Sequence, residues 1–243
     1  MGFSRSARTR VLVRPAVAVT EPLRPMRWPP PSKPWPQLDP AAQAPPLIWL
    51  IDRRCHALVA QRPLLQSLLS AAEQRRIERL RRDDDRDRSL LGRGALRLVL
   101  GGLIGQDPAT LPLTVGPGGK PQLAAQVSPQ FNISHSGALV LLAFHATCPV
   151  GVDVERQRAG LRWQPIARRC FDPALCRQIE ALPPSKQRLA FLRHWCRLEA
   201  TLKAQGTGIL APPLPSPPAT ALHELQLPEG YAGAVAMVCA AGP

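Results

Sequence analysis

From Leu47 onward the apolar positions fall into short runs and helical periods; from Glu21 to Pro46 they show no period. Leu47-Ile48-Trp49-Leu50-Ile51 is an unbroken apolar run of strand length, the pattern of a buried strand. Ser70 with Glu73 three positions on makes a capping box, and Ile77 and Leu80 follow at helical spacing. Asp83-Asp84-Asp85 interrupts that period and is placed to cap a second helix carrying Leu90, Leu91, Leu96, Val99 and Leu100, with Gly101-Gly102 as its end. Gly116-Pro117-Gly118-Gly119 is turn chemistry. Phe131 to Ser134, Ala138 to Phe144 and Val150 to Glu155 read as three strands, the first two joined by a polar turn at His135-Ser136-Gly137. Asp172-Pro173 is an N-cap with a helix-starting proline. Ser185 opens a long helix over about Lys186 to Gln205, which stops at Gly206. Pro212 to Pro218 reads as a loop, and Tyr231 to Ala240 as a closing apolar strand. Strands and helices mix without strict alternation, which predicts an α+β fold.

Composition changes the picture at the N-terminus. Residues 1–46 hold eleven prolines, seven cations and only two anions, with no apolar period from Glu21 to Pro46, and they read as a disordered or polyproline-like extension. Seven cations less two anions give this segment +5 of the total +14, leaving +9 on residues 47–243. Of the 31 cations four are lysine, so the basic character is arginine's and favours an anionic partner. The apolar run Ala138 to Phe144, like every other in the sequence, is far below the ~20 residues of a membrane helix, and the expectation is a soluble, cytoplasmic protein. The six cysteines show no pairing or zinc spacing and read as reduced, mostly buried thiols.

Three segments carry chemistry. In Val150-Gly151-Val152-Asp153-Val154-Glu155 the valines point one way and Asp153 and Glu155 the other, ~7 Å apart along the strand, able to converge on one hard cation. Gly151 lies on the carboxylate face and keeps it uncrowded; the alternative is an ordinary acidic strand face. Trp195, Glu199 and Lys203 recur at i, i+4, i+8 and share one helical stripe, lining a cleft or forming a surface pair. Asn132-Ile133-Ser134-His135-Ser136-Gly137 offers hydroxyls and an imidazole suited to phosphate, or is plain hairpin polarity.

Taken together, Gly119-Lys120-Pro121, Phe131-Asn132-Ile133-Ser134-His135-Ser136, Gly151-Val152-Asp153-Val154-Glu155 and Trp195-x-x-x-Glu199-x-x-x-Lys203-x-x-Gly206-x-Gly208 resemble the motifs of the Sfp-type 4′-phosphopantetheinyl transferases, in order and spacing, over about residues 47–240. Arg76 through Asp87-Arg88-Ser89-Leu90-Leu91 to Arg97 is similar to that family's basic N-terminal stretch. The resemblance implies two similar α/β halves related by a pseudo-twofold, here 47–148 and 149–243, with the active site in the cleft between them. It implies transfer of 4′-phosphopantetheine from coenzyme A to a serine of an acyl or peptidyl carrier protein, releasing adenosine 3′,5′-bisphosphate, in fatty-acid, polyketide or nonribosomal-peptide biosynthesis. Asp153, Glu155 and Glu199 would hold Mg²⁺, while Arg76, Arg88, Ser89, Lys120, Ser134 and His135 would hold coenzyme A. Glu199, Lys203 and Asp153 would carry the catalysis, Glu199 as ligand, as base for the attacking hydroxyl, or as both. The sequence departs from the family at Leu198, where a lysine precedes the glutamate and Arg197 stands one step earlier, and at Leu175, where relatives are often acidic.

Two rival readings start from the same residues. A Mg²⁺-dependent nuclease would use Asp153-x-Glu155 with the later Glu199 and Lys203, and +14 would suit its substrate; it leaves the Asn-Ile-Ser-His-Ser segment unexplained. A non-catalytic arginine-rich nucleic-acid binder would need more than 5% aromatics and a denser basic block. The expected partners are therefore coenzyme A and a carrier protein, with neither nucleic acid nor membrane, for a monomer.

Overall fold

The computed structural model describes residues 19–28, 35–41, 43–116, 120–124, 128–208 and 220–238. The same topology is written twice. In the first half β3 (Leu47–Asp52) is followed by α1 (His56–Ser67), α2 (Ala71–Glu78) and α3 (Asp83–Ile104), a small pair β4 (Leu113–Val115) and β5 (Pro121–Leu123), then the hairpin β6 (Gln130–Ser136) and β7 (Leu139–His145). In the second, β8 (Val150–Arg156) is followed by α4 (Trp163–Cys170), α5 (Pro173–Glu180) and α6 (Pro184–Ala204), then the hairpin β9 (Thr220–Leu225) and β10 (Tyr231–Val238). Each half lays its third strand between the first and the second, as β3-β7-β6 and as β8-β10-β9, which is the α+β arrangement of two similar halves. Among the described residues no helix is long and apolar enough to cross a membrane.

Period-two alternation explains the layering. On β7, Val140, Leu142 and Phe144 face the first-half helices, while Leu139, Leu141 and Ala143 face the other sheet. On β8 the valines at 150, 152 and 154 join that inter-sheet core, and Ala232, Ala234 and Ala236 of β10 pack under α6. The order is helices, sheet, sheet, helices, which is why every residue of β7 is buried and its sequence is apolar from Leu139 to Phe144.

Where residues 1–46 are described, at 19–28, 35–41 and 43–46, they depart from the expectation of a disordered extension. β1 (Val19–Leu23) pairs parallel with β9, and β2 (Met26–Arg27) pairs parallel with β3, so one stretch of chain extends both sheets. Trp28 is buried against Trp49, its ring edge-on at 6.3 Å, and its Nε1 donates to Gln61 Oε1 at 2.9 Å. A few aromatic and apolar residues at sheet edges suffice where periodicity is absent.

Helix ends follow local chemistry, with three corrections. Ser70 and Glu73 form the expected capping box, and Asp172 accepts from Ala174 N at 2.7 Å. The aspartates at 83–85 do not cap α3; they occupy its first turn, where their charge favours the helix dipole, and Arg82 is the N-cap. Gly101-Gly102 does not end α3 either. The helix runs to Ile104 and stops at Gly105, whose φ of 69° needs no side chain; a Cβ on Gly102 would lie 2.2 Å from the Trp35 ring. α6 begins at Pro184 after Pro183, ahead of Ser185. Sequence periodicity passes over α1, α4, β1, β2, β4, β5 and β9. The proline loop at 212–218, most of the 116–119 turn and the last two residues of the Tyr231 to Ala240 strand lie outside the described residues.

Candidate active site between the two halves

The Asn-Ile-Ser-His-Ser segment is strand, with the hairpin turn confined to Gly137 and Ala138. Period two therefore sends Asn132, Ser134 and Ser136 to one side, where they meet the edge of β8. Asn132 Oδ1 accepts from Val152 N at 2.9 Å, Ser134 Oγ from Val154 N at 3.4 Å and Ser136 Oγ from Arg156 N at 3.1 Å. Side chains thus replace a strand ladder along the seam between the halves. The same hydroxyls donate to the carboxylates beside them, Ser134 to Asp153 Oδ1 at 3.0 Å and Ser136 to Glu155 Oε2 at 2.8 Å. Asn132 and Ser136 are the residues that motif reading underweights; their two-residue spacing with Ser134 is the signal of a polar strand face.

From the other side α6 presses on β8. A Cβ on Gly151 would lie 2.1 Å from the Ala200 carbonyl oxygen, so this glycine makes room for a helix backbone and not for a ligand. The close approach lets Lys203 Nζ reach Asp153 Oδ1 at 2.6 Å and Val152 O at 3.3 Å, while Lys120 Nζ donates to the Lys203 carbonyl at 3.2 Å. Trp195, one stripe with Glu199 and Lys203, stacks on Phe191 at 5.9 Å. Leu198, the departure from the family's lysine, is buried in the core under α6, a place where an ammonium would be desolvated.

These contacts frame a cavity of about 850 Å³, roofed by α2, α3 and β6 of the first half and floored by β8 and α6 of the second. Every predicted site residue lines it: Arg76, Arg88, Ser89, Lys120, Ser134 and His135 from one half, Asp153, Glu155, Glu199 and Lys203 from the other. Cations face carboxylates across it. Arg88 donates to the Gly137 carbonyl at 3.1 Å and pairs with Asp85. Burial lowers the Lys120 pKa, and the Lys203 charge lowers it further. His135 opens onto the cavity, and desolvation together with Arg88 lowers its pKa. Burial raises Glu155, with Asp153 adding to the shift and the Ser136 hydrogen bond opposing it. Burial likewise raises Glu199; Lys203 opposes, and the charges of Asp153 and Glu155 add. Among the described residues no three acidic, histidine or cysteine side chains converge closely enough to chelate an ion. Asp153, Glu155 and Glu199 share the cavity, but the Asp153 Oδ1 atom is taken by Lys203 and Ser134, while its buried Oδ2 has no hydrogen-bond partner.

A cavity of this size, cationic on one wall and carboxylate-bearing on the other, has the chemistry to accommodate a polyanion. The family model for the 4′-phosphopantetheinyl transferase superfamily matches residues 149–228, and the model for the 4′-phosphopantetheinyl transferase N-terminal region matches residues 59–147. The chain belongs to the 4′-phosphopantetheinyl transferase superfamily. It is 37% identical over 169 residues, 68% of its length, to a Synechocystis protein carrying that transferase name, and 36% identical over 148 residues, 60% of its length, to the 4′-phosphopantetheinyl transferase HetI of Nostoc. It is 28% identical over 167 residues, 65% of its length, to the 4′-phosphopantetheinyl transferase Sfp of Bacillus subtilis. These stretches cover 66%, 62% and 73% of the relatives' own lengths, so the chain spans just under two thirds of the first two.

Proposed function

We propose that this chain transfers the 4′-phosphopantetheine group of coenzyme A to a serine hydroxyl of an acyl or peptidyl carrier protein, with Mg²⁺ as cofactor. The observation that carries the reading is the opposition of cationic and carboxylate walls across one cavity at the seam of two repeated halves. Arg76, Arg88, Lys120 and His135 would bind and orient the phosphates of coenzyme A, the guanidiniums by forked contacts. Asp153, Glu155 and Glu199 would hold the metal: their mutual repulsion favours a divalent cation, and Asp153 keeps one buried oxygen unpartnered. Bound there, the ion would neutralise the pyrophosphate and ease departure of its bridging oxygen.

The chain's own groups do the rest. Glu199, on the cavity floor beside Lys203, takes the proton of the carrier serine, directly or through a water. The serine oxygen forms its bond to the β-phosphorus as the bond to the bridging oxygen breaks. Adenosine 3′,5′-bisphosphate leaves with the electron pair, and Lys203 stabilises the charge growing on that oxygen. The Ser134 and Lys203 contacts hold Asp153 in place throughout.

The test is the intact mass of a purified apo carrier protein after incubation with the chain, coenzyme A and Mg²⁺. One phosphopantetheine group gained on the serine is expected, with Glu199→Gln slowing turnover by about 10²-fold or more. Acyl and peptidyl carriers that both stay unmodified, while DNA and not coenzyme A protects the protein from heat, would refute the reading in favour of a nucleic-acid substrate.

A further inference from the structure

Along the seam β6 and β8 keep one register. Each polar side chain of β6 accepts from the β8 amide twenty positions on: Asn132 from Val152, Ser134 from Val154 and Ser136 from Arg156. The β8 residues one place earlier are Gly151, Asp153 and Glu155 in turn. Serine therefore stands where β8 offers a carboxylate, and asparagine where it offers glycine. A serine oxygen that accepts from an amide keeps its proton to donate, so this one side chain serves both neighbours. Ser136 gives that proton to Glu155 Oε2 at 2.8 Å, and Ser134 gives its own to Asp153 Oδ1 at 3.0 Å.

The consequence is a division of labour within each carboxylate. Asp153 Oδ1 is taken by Ser134 and Lys203, and its buried Oδ2 has no partner. Glu155 Oε2 is taken by Ser136, and among the described residues no hydrogen bond reaches Oε1. Each group has one oxygen left to offer, and turning to offer both would break its bond to β6. Ser136 is only 5% exposed and does not line the cavity, whereas Glu155 does, so Ser136 can act on an occupant only through Glu155. The number of oxygens a carboxylate can present decides which ion it suits. Mg²⁺ demands near-ideal octahedral geometry, and the two oxygens of one carboxylate lie too close together to fill neighbouring octahedral positions. Ca²⁺ takes about six to eight oxygens in flexible geometry and accepts both from one carboxylate.

We infer that Ser136 is a positioning residue that confines Glu155 to one oxygen and thereby makes the site select Mg²⁺ over Ca²⁺. The inference rests on the reading of Asp153, Glu155 and Glu199 as the metal's holders. It adds a residue that touches neither the ion nor the cavity and sets which ion is preferred. The hydroxyl is the selecting group, because a side chain without a donor would leave Glu155 free to turn.

Binding of Mn²⁺ to the full chain, read from the loss of the free-ion EPR signal and competed with Mg²⁺ or with Ca²⁺, tests it without reference to turnover. Ser136→Ala should weaken Mg²⁺ by about tenfold or more, as loss of a hydrogen bond to a metal-holding group does. Ca²⁺ should weaken by less than about threefold, because a freed Glu155 can give it the second oxygen. The preference for Mg²⁺ therefore falls. Equal weakening of both ions, or an unchanged preference, would make Ser136 a seam residue only and overturn the inference. If Ser136→Ala does not fold, Ser136→Cys, whose thiol is a weak donor, decides: a reduced preference supports the inference and a wild-type one overturns it. A wild type that binds none of the three ions would instead defeat the Mg²⁺ reading and this inference with it.

Discussion

Gly151→Ala puts the packing of α6 on β8 to a quantitative test. The added methyl would stand 2.1 Å from the Ala200 carbonyl oxygen, 2.4 Å from the Ala204 nitrogen and 2.9 Å from the Lys203 carbonyl carbon. All three are backbone atoms of one helix, so no side-chain rotation relieves them. Ordinary contact begins at 3.4 Å, and α6 must therefore retreat from β8 by about 1.3 Å. Overpacking of this kind costs ~1–3 kcal/mol, with the upper end appropriate where only backbone can yield. For a chain of this size ~3 kcal/mol is a fall in Tm of roughly 6–12 °C. The same retreat stretches the 2.6 Å contact of Lys203 with Asp153 and moves Glu199 from its neighbours. A misplacement of ~1 Å among reacting groups costs about 10²-fold in rate. Scanning calorimetry and carrier modification below the variant's melting range measure the two effects. Gly233→Ala is the control: its methyl meets the flexible end of Leu227 at 2.6 Å and backbone only at 3.1 Å, so it should cost less than half as much. A Gly151→Ala protein that melts within about 2 °C of wild type and keeps its kcat/KM would refute the argument.

Three further outcomes follow from the contacts described. Asn132→Ala leaves the buried Val152 amide unpaired and should cost about 1–3 kcal/mol, with faster hydrogen exchange at Val152; unchanged exchange would mean the seam is held otherwise. Trp28→Ala should destabilise by about 3–5 kcal/mol, and removal of residues 1–46 by at least as much, read from denaturant midpoints; an unshifted midpoint would show that the N-terminal strands merely rest on the sheets. His145 has its pKa lowered below the ordinary 6.5, chiefly by burial, and its Nδ1 accepts from the amides of Thr147 at 3.1 Å and Cys148 at 2.8 Å. The unfolded chain then binds the extra proton first, so this stability is present above 6.5 and is lost as pH falls. Tm should drop from pH 7.5 to about 5.5, and His145→Gln, whose amide oxygen cannot be protonated, should flatten part of that slope without removing the share of His135 and His194, which shift in the same direction. A wild-type slope in His145→Gln would exclude the imidazole.

What was legible in the sequence was whatever local spacing encodes. The capping box at Ser70 fixes a helix start because it satisfies orphan amides within four residues, and the alternation in Val150 to Glu155 predicts the valine and carboxylate faces that β8 shows. What stayed hidden depends on residues far apart in the chain. Gly102 looks like a helix stop until Trp35 is seen lying on it, and Trp35 looks like part of a tail until it has Gly102 to lie on. Asn132 and Ser136 read as turn polarity because their acceptor role needs the β8 edge, about twenty residues on, to be visible. β9 has mixed burial along its length and so no clean period. The cavity residues were found through motifs, yet the bond from Arg97 to Glu73 was not, since it joins α3 to α2 across 24 positions of the chain.

The seam has a further consequence for solubility. β6 and β8 are edge strands of their sheets, seven residues each, and such edges with unpaired backbone groups invite pairing with other molecules. Each shields the other here, through hydroxyl and amide side chains and not through a ladder. Cutting the chain between residues 148 and 149 would strip both edges at once. The two fragments, expressed apart, should self-associate through β6 and β8, and mixing them before aggregation should restore the monodisperse protein. Asp153 and Glu155, which face α6 in the whole chain, and Arg156 at the strand's end would then be the charges guarding the bared β8 edge.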